Sequence, residues 1–432
     1  MTDHAETEQS SKERASSEQG GMFSSLHFRD FRLLWFGSIA ATFAMQMQIV
    51  ARGWLIYDMT RSPMALTWVM LSFMLPSVVF SLLGGVIADR LHKRSIMIVS
   101  GLLNTVATLI LAAIVYMGDV TFWHFIYFGV FNGTVLALSM PARASVTPEI
   151  VGRDQVVNAM ALQSATFNLS RIVGPALAGG LIALAAAGDT SSTQGVGLVF
   201  FVVAVLYGLS VFCTTLIHYQ GKPHQQGNKP IADLIEGFSF MRREPLVVGL
   251  IVMGFVPMTF GFSVTFLLPA FNADILAGGP ETLGILVTAS GAGALAGSLL
   301  LARAGDIGGK GRVMFYAGYL WAIFVAAFAL SGSLITAMVF GAATGLAGAV
   351  MGSLNMSVVQ IALPDEIRGR VMAIMMMAHG FMPLGIIPIS IVAENLGIDV
   401  ALALAAVLLA VSLVILRIWI PGLMTINRGH DD

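Results

Sequence analysis

Asp89-Arg90-Leu91-His92-Lys93-Arg94 stands between two apolar stretches, roughly residues 64–88 and 95–117, and the short turn Thr60-Arg61-Ser62-Pro63 separates the first of these from another at 31–58. A bilayer core of about 30 Å takes roughly 20 apolar residues per helix, so each stretch is long enough to cross it. Working outward, the sequence divides into twelve such stretches, the remainder at about 122–140, 158–187, 196–218, 246–271, 282–302, 312–331, 333–357, 371–394 and 399–420. An even number returns both termini to one face. Composition agrees: of 432 residues 56% are hydrophobic and 11% charged, with a mean hydropathy of +0.83. A water-soluble surface cannot be assembled from these residues, and the bilayer must be the solvent.

The distribution of basic residues sets the orientation. With the N-terminus inside, 20 of the 23 Lys and Arg residues fall on the cytoplasmic side. They include Arg90, Lys93, Arg94, Arg143, Arg153, Lys222, Lys229, Arg242, Arg243, Arg303, Lys310, Arg312, Arg368 and Arg370 in loops. Inverting the chain would reverse this bias. Arg61 alone lies in an outer loop, while Arg52 and Arg171 lie inside apolar stretches. The net charge of -1 conceals this sidedness. Residues 1–28 are expected to be a disordered cytoplasmic tail, since the first 25 are rich in Ser, Glu and Gln and lack the apolar core of a signal peptide. The single cysteine, Cys213, excludes a disulfide framework and reads as a small core hydrophobe.

The longest polar connection, 219–245, divides the chain into expected six-helix bundles at 29–218 and 246–420, followed by a cytoplasmic tail at 421–432. Pro148-Glu149-Ile150, read as opening the fifth stretch, is echoed by Pro364-Asp365-Glu366-Ile367 at a distance of 216 residues, half the chain. Asp89 is similarly echoed by Asp306, each followed by basic residues. Parallel halves of this kind form a transporter architecture with the substrate near the midplane between them. The expected fold is therefore all-α and integral to the membrane, with twelve helices in two pseudo-symmetric bundles and both termini cytoplasmic.

Gly85-Val86-Ile87-Ala88-Asp89-Arg90-Leu91-His92-Lys93-Arg94 resembles the loop 2-3 signature of the major facilitator superfamily, GxxxDRxx[RK][RK], at every specified position. The resemblance implies a cytoplasmic gate formed by Gly85, Asp89, Arg90, Lys93 and Arg94, with Asp306 as the second-half echo. In that family the carboxylate at the place of Asp89 meets a helix start, where unpaired N–H groups and the helix dipole favour it. Gly174-Pro175-Ala176-Leu177-Ala178-Gly179-Gly180 resembles the family's antiporter motif, GxxxGPxxGG, with Ser170 in place of its first glycine and Ala178 displacing the glycine pair by one position. Gly174, Pro175, Gly179 and Gly180 thereby become candidates for a moving helix contact, which small residues and a proline suit. Trp54-Leu55-Ile56-Tyr57-Asp58-Met59-Thr60, Pro141-Ala142-Arg143 and Asn158-Ala159-Met160-Ala161-Leu162 are similar to the subgroup containing the enterobactin exporter and macrolide-efflux proteins. That subgroup implies outward movement of a bulky amphipathic compound driven by proton entry.

Polar residues within apolar stretches supply the candidate binding surface. Ser164, Asn168, Arg171 and Pro175 are spaced by four, three and four residues and share one face of the fifth stretch. Gln48 and Arg52 share a face of the first. A charge at mid-span costs about 2.5–3.5 kcal/mol on the insertion scale, and such residues usually face a hydrated path or an internal partner. Arg52 is six residues from Asp58 at the outer boundary, so snorkelling to the headgroups is an equal alternative. No Asp or Glu occupies the centre of a stretch. The interior field is therefore expected to favour anionic or neutral substrates over lipophilic cations.

His379 is the only histidine near the centre of a stretch, and it is both the candidate for proton coupling and an ordinary hydrogen-bonded core histidine. Met372, Met375, Met376, Met377 and Met382 surround it with deformable thioethers. No nucleotide-binding motif, metal-ligand spacing or appended soluble domain is present, so neither catalysis nor a cofactor or metal is expected. The expected partners are a small-molecule substrate, protons and the lipid bilayer, without nucleic acid, for a monomer in the bacterial inner membrane. Three functions stay open: a proton-coupled exporter, an uptake symporter or facilitator on the same scaffold, and a non-transporting scaffold or sensor.

Overall fold

The computed structural model describes residues 23–185, 193–219, 244–305, 307–363, 367, 371, 372, 374, 375 and 382–426. Among them the chain is helical, with no strand. The helices of the first part are α1 (Arg29–Thr60), α2 (Pro63–Val79), α3 (Ser81–Arg90), α4 (Lys93–Met117), α5 (Phe122–Ala185) and α6 (Thr193–Thr215). The second part comprises α7 (Pro245–Gly261), α8 (Ser263–Asp274), α9 (Pro280–Ala304), α10 (Lys310–Ala329), α11 (Leu334–Ala362), α12 (Met382–Leu396), α13 (Ile398–Trp419) and the short α14 (Gly422–Thr425). Among the described residues nine helical segments are long and apolar enough to cross a membrane, the paired α7 and α8 counting as one.

Local chemistry sets the ends. Ser62 caps α2 by accepting from the Ala65 amide at 3.2 Å, and Pro63 follows at the first helical position, where its missing N–H costs nothing. Ser333 and Thr336 form a reciprocal capping box on α11. Gly118, with φ 82°, closes α4 in the left-handed region that a side chain disfavours.

The 64 residues of α5 would extend about 96 Å as one helix, three times the bilayer core. Gly152, at φ 73° and ψ 175°, breaks it in two. The boundary differs from expectation. Residues 141–151, expected to connect the stretches at 122–140 and 158–187, are helical, so Pro148-Glu149-Ile150 ends the first arm of α5 rather than opening the second. Arg143 accordingly sits on a helix and not in a loop. Pro141 and Pro148 lie within the helical arm, and Gly152 supplies the backbone angles that turn the chain.

The bundle is apolar outside as well as inside. On α4, Val99, Leu102, Leu103, Val106, Leu109 and Ile110 are exposed, while Ser100 and Thr108 are buried. That inversion of a water-soluble protein's pattern suits a lipid solvent. Glycines bring helices into close approach: a Cβ at Gly197 would lie 2.7 Å from the Tyr116 backbone, and one at Gly297 3.1 Å from Leu346 Cα.

Candidate functional site

Two interior cavities contain the arginines singled out by the sequence, and they are separate. The larger, about 320 Å³, lies among α1, α2, α4, α5 and α6. α1 contributes Gln48 and Arg52, α4 contributes Asn104, α5 contributes Asn132 and Arg143, and α6 contributes Tyr207. Each is a polar residue on the inward side of an otherwise apolar helix. Tyr207 Oη donates to Gln48 Oε1 at 3.3 Å, and Asn132 Nδ2 donates to Asn104 Oδ1 at 2.5 Å. Gln48 is only 6% exposed, and its Nε2 has no partner. The Arg52 guanidinium carbon lies 5.9 Å from the centre of the Phe73 ring, within cation–π range. The absence of a side chain at Gly101 leaves room for Arg143, whose Nη2 would be 3.9 Å from a Cβ there. Among the described residues no carboxylate pairs with Arg52 or Arg143. The rest of the lining is largely apolar, including Met45, Ile49, Met70, Met74 and Leu136.

The second cavity, about 260 Å³, is lined by α7–α11 with Arg171 reaching in from α5. Ser290, Ser298, Thr344 and Ser353 give it a hydroxyl-rich wall. The structure therefore does not bring Arg171 together with Gln48 and Arg52. Nor do the neighbours of Arg171 on α5 line either cavity. Ser164 is exposed, and Asn168 donates its amide to the Ser164 carbonyl at 2.9 Å.

A seam joins α1–α6 to the later helices, tightest toward the face that carries Arg61. Tyr57 Oη donates to Asp274 at 2.5 Å. Glu394 accepts from Ser62 Oγ at 2.7 Å and from the Met64 amide at 3.2 Å. Thr67 and Ser390 hydroxyls meet at 2.6 Å, and Thr288 Oγ1 donates to the Ile172 carbonyl at 2.8 Å. Of the predicted antiporter residues, Pro175 and Gly179 lie on the same seam and Gly174 packs on α1. A Cβ at Gly284 of α9 would be 2.6 Å from the Pro175 carbonyl and 3.3 Å from Gly179 Cα, whereas one at Gly174 would be 2.8 Å from Gln46 Cβ of α1. Gly180 has open space beside it.

At the opposite face, which carries Arg90, the described contacts stay within the first group. Lys93 pairs with Glu149, which also accepts from Tyr219. Arg94 Nη2 donates to the Thr215 carbonyl at 2.6 Å. Arg90 is exposed, and Gly85 has no neighbour where a Cβ would stand. The Asp89 side chain, Asp306 and His379 lie outside the described residues.

Sequence reasoning missed Asn104, Asn132, Arg143 and Tyr207 as a group. Arg143 was hidden by its count among loop cations. Asn104 and Asn132 carried a signal, each being a lone amide in an apolar stretch.

The MFS_3 family model, described as a transmembrane secretion effector, matches residues 20–427. Among relatives, the staphyloferrin A transporter of Staphylococcus aureus is 24% identical over 331 residues, covering 75% of this chain and 80% of that protein. The enterobactin exporter EntS of Shigella boydii is 25% identical over 290 residues, 67% of each chain. Among solved structures, a POT family transporter in complex with 5-aminolevulinic acid superposes with a TM-score of 0.73 at 11% identity, covering 94% of this chain and 98% of that one. The nucleoside transporter NupG gives a TM-score of 0.68 at 16% identity, covering 92% and 100%. These structural likenesses concern the fold alone. With an apolar helical body, interior cavities that hold polar side chains and a family match along nearly its whole length, this multi-pass protein of the cell membrane is a transporter and not an enzyme, and it belongs to the transmembrane secretion effector family of the major facilitator superfamily.

Proposed function

We propose that the chain exports a small amphipathic compound, anionic or neutral, by alternating access coupled to proton entry. Twelve spans follow if α2 with α3, and α7 with α8, each cross once, α5 crosses twice about Gly152, and α12 completes a span begun before it. The halves would be residues 29–218 and 246–420, joined by a cytoplasmic linker at 219–245, with both termini cytoplasmic. The charge bias puts the Arg90 face inside, so the seam at Tyr57, Ser62 and Thr67 would close the outer mouth. A cavity that opened to the cytoplasm would suit loading for export, and one relative named as an exporter supports that direction.

The observation that carries substrate charge is the larger cavity, with two guanidiniums, an unpartnered Gln48 donor and no carboxylate in its lining. Such a field favours acceptor-rich or anionic compounds and repels cations. Gln48 and Arg52 keep the binding role read from the sequence and Arg143 joins them; Arg171 is assigned to a second station in the other half. Ser164 and Asn168 line neither cavity. Asp89, with Gly85, Arg90, Lys93, Arg94 and Asp306, is assigned to the cytoplasmic gate. His379 is the proposed proton carrier.

Transport into inside-out vesicles under an imposed pH gradient tests the reading. Anionic siderophores, neutral macrolides and cationic dyes are compared. Gradient-driven accumulation of the anionic or neutral compounds is expected, and His379→Gln should uncouple it. Preferential accumulation of cationic dyes, or no gradient-dependent accumulation at all, would overturn it.

A further inference from the structure

We propose that the larger cavity is a two-pole site for an amphipathic dianion, a molecule with an oxyanionic group at each end of an apolar body. The word substrate here rests on the export reading; the site itself rests on geometry. Arg52 and Arg143 enter from opposite ends. Arg52 lies eight residues before the end of α1 at the Arg61 face, and Arg143 lies eight residues before the end of the first arm of α5 at the Arg90 face. At 1.5 Å per residue each backbone position is about 12 Å in from its own face. Tyr207 lines the same cavity as both guanidiniums.

The lining carries two cationic donors and no carboxylate. Asn104 and Asn132 bond to each other, and the Gln48 carbonyl oxygen receives the Tyr207 hydroxyl. Beside the remaining amide groups of Asn104 and Asn132 stand two cationic forks and the unpartnered Gln48 Nε2, in a residue that is 6% exposed. Arg52 and Arg143 are half-buried among largely apolar lining with no carboxylate beside them, so each pole favours an acceptor that the described protein does not supply. One bound carboxylate answers one pole. A ligand with two answers both, and its apolar body lies against Met70, Phe73 and Met74 of α2 and Val135 and Leu136 of α5. A bare inorganic dianion would leave this apolar surface uncovered within a space of about 320 Å³.

The test uses the purified full-length chain in lipid nanodiscs and three rigid probes: biphenyl-4,4′-dicarboxylate, biphenyl-4-carboxylate, and the dimethyl ester of the diacid. Calorimetry on the wild type should show the diacid binding about tenfold more tightly than the monoacid, with the ester weaker than both. Arg52→Gln and Arg143→Gln should each reduce diacid affinity to that of the monoacid, and the double variant should bind neither acid better than the ester. Thermal unfolding checks that the variants fold; should one fail to fold, the wild-type ranking decides. Equal wild-type affinity for diacid and monoacid, or undiminished diacid binding in a folded single variant, overturns the proposal. Failure of vesicle export with this binding pattern intact would overturn the export reading and leave the site standing. Export of monoanions with no diacid preference would do the reverse.

Discussion

Tyr57 is 2% exposed and spends its hydroxyl on Asp274, a partner from the other group of helices. In Tyr57→Phe the exposed carboxylate of Asp274 is left to water, so the loss is that of one charge-assisted bond, about 1 kcal/mol. Such a change multiplies the population opened at the Arg61 face by roughly five. Maleimide labelling of a cysteine at position 67, in a Cys213→Ala background, should accelerate accordingly. Gly284→Ala acts on the same seam by crowding: the added Cβ meets the Pro175 carbonyl at 2.6 Å, and overpacking of this kind costs about 1–3 kcal/mol. The same labelling assay should rise, and an unchanged rate would show that α9 yields without disturbing the contact. At this scale the sequence disclosed residues better than relationships. Gln48 and Arg52 stood out as polar positions in an apolar run, but only tertiary packing shows that Arg143 approaches the same cavity from another helix and that Arg171 does not.

The break in α5 shows what element boundaries depend on. Gly152 holds φ 73° with ψ 175°, a conformation that an L side chain strains by roughly 1–3 kcal/mol. Gly152→Ala is therefore expected to lower the unfolding temperature of the purified protein and its yield in the membrane; an unchanged melting curve would mean that the turn is elastic. The apolar stretches were legible because spanning a bilayer demands about 20 apolar residues whatever the neighbours do. Their ends were less so. Pro148-Glu149-Ile150, with its echo 216 residues later, points to a helix start, yet the helix continues past Pro148, since a proline inside a packed transmembrane helix is tolerated when surrounding groups take up the freed carbonyl. In the small-residue run Gly174–Gly180 a Cβ has no room at Gly174 or Gly179, whereas Gly180 has open space.

For the molecule as a whole, the described polar contacts between α1–α6 and α7–α13 run from the Arg61 face to mid-depth. If transport proceeds by rocking about that seam, fastening it should stop the cycle. A Thr67→Cys, Ser390→Cys pair in the Cys213→Ala background replaces hydroxyls 2.6 Å apart. Oxidation should abolish vesicle transport and reduction should restore it, whereas full transport in the oxidised protein would exclude opening at this point. Glu394 adds a further consequence. By holding the Met64 amide and the Ser62 hydroxyl, which in turn holds the Ala65 amide, it completes the first turn of α2 from across the molecule. When the mouth parts, those amides must find water, so the fraying of one helix start and the wetting of the crevice become a single event. Deuterium uptake at Met64 and Ala65 would then clock each opening of the transporter, with no label attached.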